Sequence, residues 1–126
     1  MSNTKIDLIL EKGIKKHQEN NLIEASNYYE SVLKLDNNNL KANLFLGIIF
    51  AQQQKFLEAE KKFKKSLEVD PNNSEVFNNL GLIYKELNDT DKSINCFKKA
   101  VEINPNFTTA YNHLGLTYQS SKKFID

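Results

Sequence analysis

The sequence contains no arginine and no tryptophan; all 17 of its basic residues are lysines. Without arginine the chain has no planar fork for bidentate recognition of phosphate or carboxylate. Net charge is +1, so no field of one sign recruits nucleic acid or an anionic membrane. The lysine run at Lys61, Lys62, Lys64 and Lys65 lies within a turn of Glu58 and Glu60, which reads as a solvated, salt-bridged helix face rather than a nucleic-acid patch. The lone Cys96 excludes an internal disulfide and fits a reducing compartment. With no basic neighbour before Lys98, it reads as a half-buried thiol rather than a nucleophile. His17 and His113, the only histidines, are far apart and lack a set of acidic or thiol partners, so neither a metal site nor a catalytic one is expected. The longest apolar run, Leu44 to Ala51, is too short to cross a bilayer. The start lacks a basic segment followed by an apolar one, so no secretory signal and a cytoplasmic placement are expected. Asn72, Asn88 and Asn106 head glycosylation-type triplets, which a chain this rich in asparagine supplies by chance.

Glycine and proline are scarce, and their positions are informative. The four glycines, Gly13, Gly47, Gly81 and Gly115, stand 34 residues apart, as do the two prolines, Pro71 and Pro105. "NNLGLIY" from Asn78 returns as "NHLGLTY" from Asn112. With every glycine committed to this grid, no glycine-rich phosphate loop exists. A period of 34 points to an array of helix-turn-helix units. The chain resembles the tetratricopeptide repeat family over residues 6–126, as repeats 6–39, 40–73, 74–107 and a partial 108–126. The third matches best, with Phe77, Leu80, Gly81, Tyr84, Ser93, Phe97, Ala100 and Pro105. The second departs at Asn43. The first has Lys12 and Lys16 at bulky positions and Asn37 in place of proline.

The resemblance implies an all-α fold, a right-handed α-solenoid of antiparallel helix pairs forming one domain of about three and a half repeats. Helices are expected at roughly 4–18, 22–35, 39–52, 56–69, 73–86, 90–103 and 107–120. Each glycine lets the second helix of a pair approach, with Ala25, Ala59 and Ser93 as small residues facing it. Gly81 and Gly115 are therefore both expected to reject bulky side chains. Asn20 and Asn88 occupy turns that favour a left-handed backbone, a conformation asparagine tolerates; Gln54 and Lys122 fit there less well.

Such arrays offer an extended binding surface, and in this family the first helices line it. By register, the groove residues are Leu10, Ile14, Leu44, Phe45, Ile48, Asn78, Asn79, Leu82, Asn112, His113 and Leu116. The apolar row Ile14, Ile48, Leu82 and Leu116 serves equally as packing between first helices. Some relatives clamp a terminal carboxylate with lysine, asparagine and arginine. Here those positions are Leu44, Ile48, Asn79, Thr109 and His113, or, one repeat earlier, Leu10, Ile14, Phe45, Glu75 and Asn79. Only Asn79 matches, in the first set. Others hold a peptide backbone with a ladder of asparagines, of which Asn79, flanked by Asn78 and Asn112, resembles two rungs. The expectation is a non-catalytic scaffold, without cofactor or metal, binding a peptide or protein segment in the groove and neither nucleic acid nor membrane. The alternatives are the repeat portion of a larger enzyme, such as a glycosyl- or other group-transferase, and a homo-oligomeric scaffold. The incomplete fourth repeat is expected to expose Tyr111, Leu114 and Tyr118 and to self-associate, closing as a two-fold dimer, unless residues 120–126 cover that patch irregularly.

Overall fold

The computed structural model of the protein describes residues 3–122. Seven helices occupy them: α1 (Asn3–Gln18), α2 (Leu22–Leu35), α3 (Leu40–Gln52), α4 (Phe56–Val69), α5 (Ser74–Glu86), α6 (Thr90–Ile103) and α7 (Thr108–Lys122). No strand occurs among the described residues. The architecture is an all-α helical-repeat solenoid, three helix pairs and a seventh helix, with ends within two residues of expectation. The chain divides into two compact units, Met1–Asp70 with α1 to α4 and Pro71–Asp126 with α5 to α7.

Short polar side chains set the starts of α2, α3, α5 and α6. Asn21, Asn39, Asn73 and Asp89 each accept a bond from the backbone N–H three residues on, at 3.0–3.3 Å. Each satisfies a donor that the first helical turn leaves orphaned. Asn20, Gln54 and Asn88 hold the tight turns inside the pairs at φ of 61°, 62° and 62°. Gln54 adopts this geometry although its residue type gives no signal for it. Lys122, expected in the equivalent turn, is still helical.

The helices of each pair are locked by a ring laid over a glycine. A Cβ on Gly13 would lie 2.7 Å from Tyr29 Cε1; on Gly47, 2.8 Å from Phe63 Cε1; on Gly81, 2.4 Å from Phe97 Cε1. All three rings are buried. Of the expected small residues, Ser93 meets its glycine directly, its Oγ donating to the Gly81 carbonyl at 2.8 Å. Gly115 departs from expectation, because a Cβ there would meet nothing within 4 Å. The ring that covers each other glycine lies 16 residues after it, and among the described residues no side chain takes that place over Gly115.

Departures from the repeat pattern have local compensations. Asn43 is fully buried, and its Nδ2 donates to the carbonyls of Asn37 (3.2 Å) and Asn39 (3.0 Å). It thereby ties down the turn that lacks a proline, leaving its own Oδ1 without a partner. Lys16 stands one period before Phe50 and bridges to Glu24 (3.3 Å) and Glu19 (3.5 Å). The bond to Glu24, with the charges of both carboxylates, holds its ammonium pKa above the usual value.

Candidate peptide-binding faces

In the first unit, α1 and α3 carry the candidates Leu10, Ile14, Leu44, Phe45 and Ile48. Leu10 and Leu44 are buried at 6% and 8% exposure, so they back this face rather than front it. Ile14, Phe45 and Ile48 are half-buried and do front it. Burying Leu44 accounts for a helix that is apolar almost all round: α3 also buries Ala42, Asn43, Leu46, Gly47 and Ile49. Phe45 packs on Tyr29 with ring centroids 5.6 Å apart and planes tilted by 39°. His17 Nε2–H donates to Gln52 Oε1 at 3.1 Å, which leaves Nδ1 to accept the Tyr29 hydroxyl at 3.4 Å. One imidazole thus joins α1, α2 and α3, and it supplies the partner a buried phenol requires. Burial pushes the Tyr29 hydroxyl up to about 12, so it stays a neutral donor.

Two recesses open on this face. One, of about 260 Å³, is lined by Ile14, His17, Gln18, Tyr29, Phe45 and Ile48. The other, of about 300 Å³, is lined by Asp7, Leu10, Glu11, Ile14 and Lys41. Register reasoning placed Ile14, Phe45 and Ile48 here but missed Gln18 and the floor provided by Tyr29. It also missed the His17–Gln52 bridge, whose only signal is an offset one residue longer than the period.

In the second unit, α5 and α7 carry the remaining candidates. Asn78 is buried at 7% exposure; Asn79, Leu82 and His113 are half-buried; Asn112 and Leu116 are exposed. His113 Nδ1–H donates to Asn78 Oδ1 at 3.1 Å, and the imidazole packs on Phe97 at 5.3 Å between centroids. Burial, and secondarily the Lys85 charge, hold the His113 pKa below the usual histidine value. The asparagine rungs are therefore unequal, because Asn78 spends its carbonyl within the protein.

The far end of this unit differs from expectation. Tyr111 (47%) and Leu116 (53%) are exposed, but Leu114 and Tyr118 are half-buried. Lys98 Nζ of α6 lies 5.8 Å from the centre of the Tyr118 ring. A shallow depression of about 580 Å³ is lined by Tyr111, Asn112, Gly115, Leu116 and Gln119. Residues 120–122 continue α7, and the rest of the tail expected to cover this patch lies outside the described residues.

Among the described residues no group of three or more His, Cys, Asp or Glu side chains could hold a metal ion. No helix among them is long and apolar enough to cross a membrane. Family comparison matches residues 47–88 to the TPR repeat and residues 74–107 to the tetratricopeptide repeat. No curated protein sequence gives a significant match. Among solved structures, a MamA protein is similar at 27% identity and a TM-score of 0.85, over 96% of this chain and 66% of that one. The chain thus spans about two thirds of that relative's length. The first TPR of Spaghetti (RPAP3), bound to the HSP90 peptide SRMEEVD, matches at 19% identity and a TM-score of 0.87, over 91% of each chain. A Thermobaculum terrenum O-GlcNAc transferase matches at 18% identity and a TM-score of 0.83, over 89% of this chain and 22% of that one.

Proposed function

Because the chain belongs to the tetratricopeptide repeat family, we propose that it is a non-catalytic interaction module whose first-helix faces bind a peptide or protein segment. The observation that carries this reading is the α1/α3 face, where half-buried Ile14, Phe45 and Ile48 edge a recess sized for a side chain. Groove binding by alternate side chains suits a ligand that carries apolar anchors. The apolar anchor belongs to the first unit, at Ile14, Phe45 and Ile48, backed by Leu10 and Leu44. The second unit offers Asn79, Asn112 and His113 for polar contacts, with Leu82 and Leu116 beside them and Asn78 holding His113. Capture of an acidic C-terminal tail is not part of this reading, since the clamp positions lack their basic residues and no arginine exists to replace them. A peptide array synthesised with free and amidated C-termini tests it. Hits should be indifferent to amidation; hits confined to acidic C-termini and lost on amidation would overturn it. The same interaction role serves if these residues belong to a longer group-transferring enzyme.

A second reading, self-association through α7, is favoured by the uncovered Gly115 beside exposed Tyr111 and Leu116. An exposed apolar patch of this kind marks an interface or an association liability. Light scattering over a concentration series should report mass growth in the parent and none in Tyr111→Lys with Leu116→Lys. A parent that remains monomeric throughout would sink this reading and leave peptide binding untouched.

A further inference from the structure

The two recesses of the first unit meet at Ile14, which lines both. At about 260 Å³ the apolar recess falls below the roughly 300–1,000 Å³ usual for small-molecule sites, a size that suits one side chain. The neighbouring recess has a different character. Asp7 and Glu11 line it and are exposed. Neither belongs to an ion pair among the described residues, although Lys16, Lys64 and Lys92 each find a carboxylate there. Lys41 is the one cation among the residues that line it. The recess therefore carries surplus negative charge in a chain that is positive as a whole.

Asp7, Glu11, Ile14 and Gln18 follow at helical spacing and form one stripe on α1. The middle of the acidic pair lies about seven residues along the helix from the middle of the apolar recess, or ~10 Å at the helical rise. An extended peptide covers that distance in about three residues. The second unit does not repeat the combination. Glu75 and Asn79 stand two periods after Asp7 and Glu11, and the charged, exposed Lys85 and Glu86 stand two periods after His17 and Gln18.

We propose that the α1/α3 face selects a peptide segment with one large apolar side chain and a lysine or arginine about three residues away. The apolar side chain fills the recess between Ile14, Phe45 and Ile48, and the cation lies against Asp7 and Glu11. This rests on the peptide-binding reading and names the chemistry of its ligand.

The test uses fluorescence anisotropy with amidated peptides that carry leucine and lysine at that spacing. Control peptides have lysine replaced by glutamate, or leucine replaced by serine. The leucine–lysine peptide should bind best, with the glutamate peptide weaker by about five-fold, the upper end of what an exposed charge pair supplies. Added salt should erode that advantage. The variant Asp7→Lys with Glu11→Lys changes only exposed side chains, and it should reverse the preference towards the glutamate peptide. Equal binding of the lysine and glutamate peptides, or an unchanged preference in the variant, overturns the proposal. So does array capture of other peptides when none of these three binds. Failure of every arrayed peptide overturns the underlying reading as well.

Discussion

Two places in the molecule occupy the same register and solve it with different chemistry. Tyr29 and Phe97 stand two periods apart, as do Phe45 and His113, and Leu10 and Asn78. In the first unit Phe45 packs on Tyr29 at 5.6 Å and 39°. In the second His113 packs on Phe97 at 5.3 Å and 37°. The ring geometry is nearly the same, and in both units the lower ring covers a glycine. What surrounds it is not. Leu10 joins the apolar cluster of the first unit, against which Phe45 also packs, whereas Asn78 accepts a hydrogen bond from His113. The first unit keeps its own imidazole elsewhere, with Nδ1 accepting from Tyr29, while in the second Nδ1–H donates. At these two places a flat ring is kept and its polarity varies, although Asn79, one period after Phe45, is no ring, so the register alone does not impose one. Shape carries the fold, and polarity is left for local tuning.

If shape dominates, removing the lower ring should cost the same in both units. Tyr29→Ala and Phe97→Ala each delete a fully buried ring and should destabilise by about 3–5 kcal/mol. That is a large part of the roughly 5–15 kcal/mol that typically holds a domain together. Urea unfolding of the two variants gives the comparison. A Tyr29→Ala cost much the larger would mean that the His17–Tyr29 hydrogen bond, not the ring, holds the first unit.

The glycines sharpen the same point, because one residue type should respond with opposite signs. A Cβ at Gly81 would press to 2.4 Å from Phe97, whose buried ring has no room to withdraw. Gly81→Ala should therefore cost about 1–3 kcal/mol through overpacking. At Gly115 nothing lies within 4 Å, so only the helix-propensity gain remains, and Gly115→Ala should stabilise by about 0.5–1 kcal/mol. Melting temperatures that move in the same direction for both would contradict the covering-ring account.

Gly115 also marks where sequence reasoning reached its limit. The period, the seven helices and their ends could be read because glycine spacing and apolar patterning repeat along the chain. Gly115 was expected to reject bulky side chains because it shares that spacing, but a glycine's intolerance is decided by the ring 16 residues later, not by the glycine. The candidate site was legible only by row. Ile14, Phe45 and Ile48 lie where the register puts them, but the burial of Leu10, Leu44 and Asn78 depends on neighbours drawn from other helices. The bridges His17–Gln52 and Asn78–His113 span 35 residues, one more than the period, so repeat alignment never sets their partners side by side. Asparagine carried two meanings that composition could not separate, capping at Asn21, Asn39 and Asn73 and left-handed turns at Asn20 and Asn88.

Polarity at the upper ring should matter less than shape, and it can be exchanged. Asn78→Leu alone removes the acceptor of the His113 Nδ1–H bond. The cost should be about 1 kcal/mol, the low end for a stranded donor, since the half-buried imidazole retains some access to water. Asn78→Leu combined with His113→Phe rebuilds the chemistry of Leu10 and Phe45 and should recover that loss. A double-mutant cycle isolates the coupling. If the double variant is no more stable than the single, the two units are not interchangeable at this register.

The smallest effect is a pH dependence present in one unit's ring pair and absent from the other's. Burial against Phe97, and then repulsion from Lys85, keep the folded His113 pKa below the usual 6.5. The unfolded chain therefore takes up the proton first as pH falls. By linkage, the stability from a neutral His113 is fully present above 6.5 and is lost as pH drops towards and through the folded value. Phe45, at the equivalent place, does not titrate. The stability difference between the parent and His113→Phe, measured at several pH values from 8 to 5, cancels the other titrating groups to first order. It should shift against the parent below pH 6.5 and stay flat above it. A difference that is flat throughout, or that turns in the parent's favour under acid, would mean that His113 is better placed to carry charge than its burial and its position near Lys85 allow.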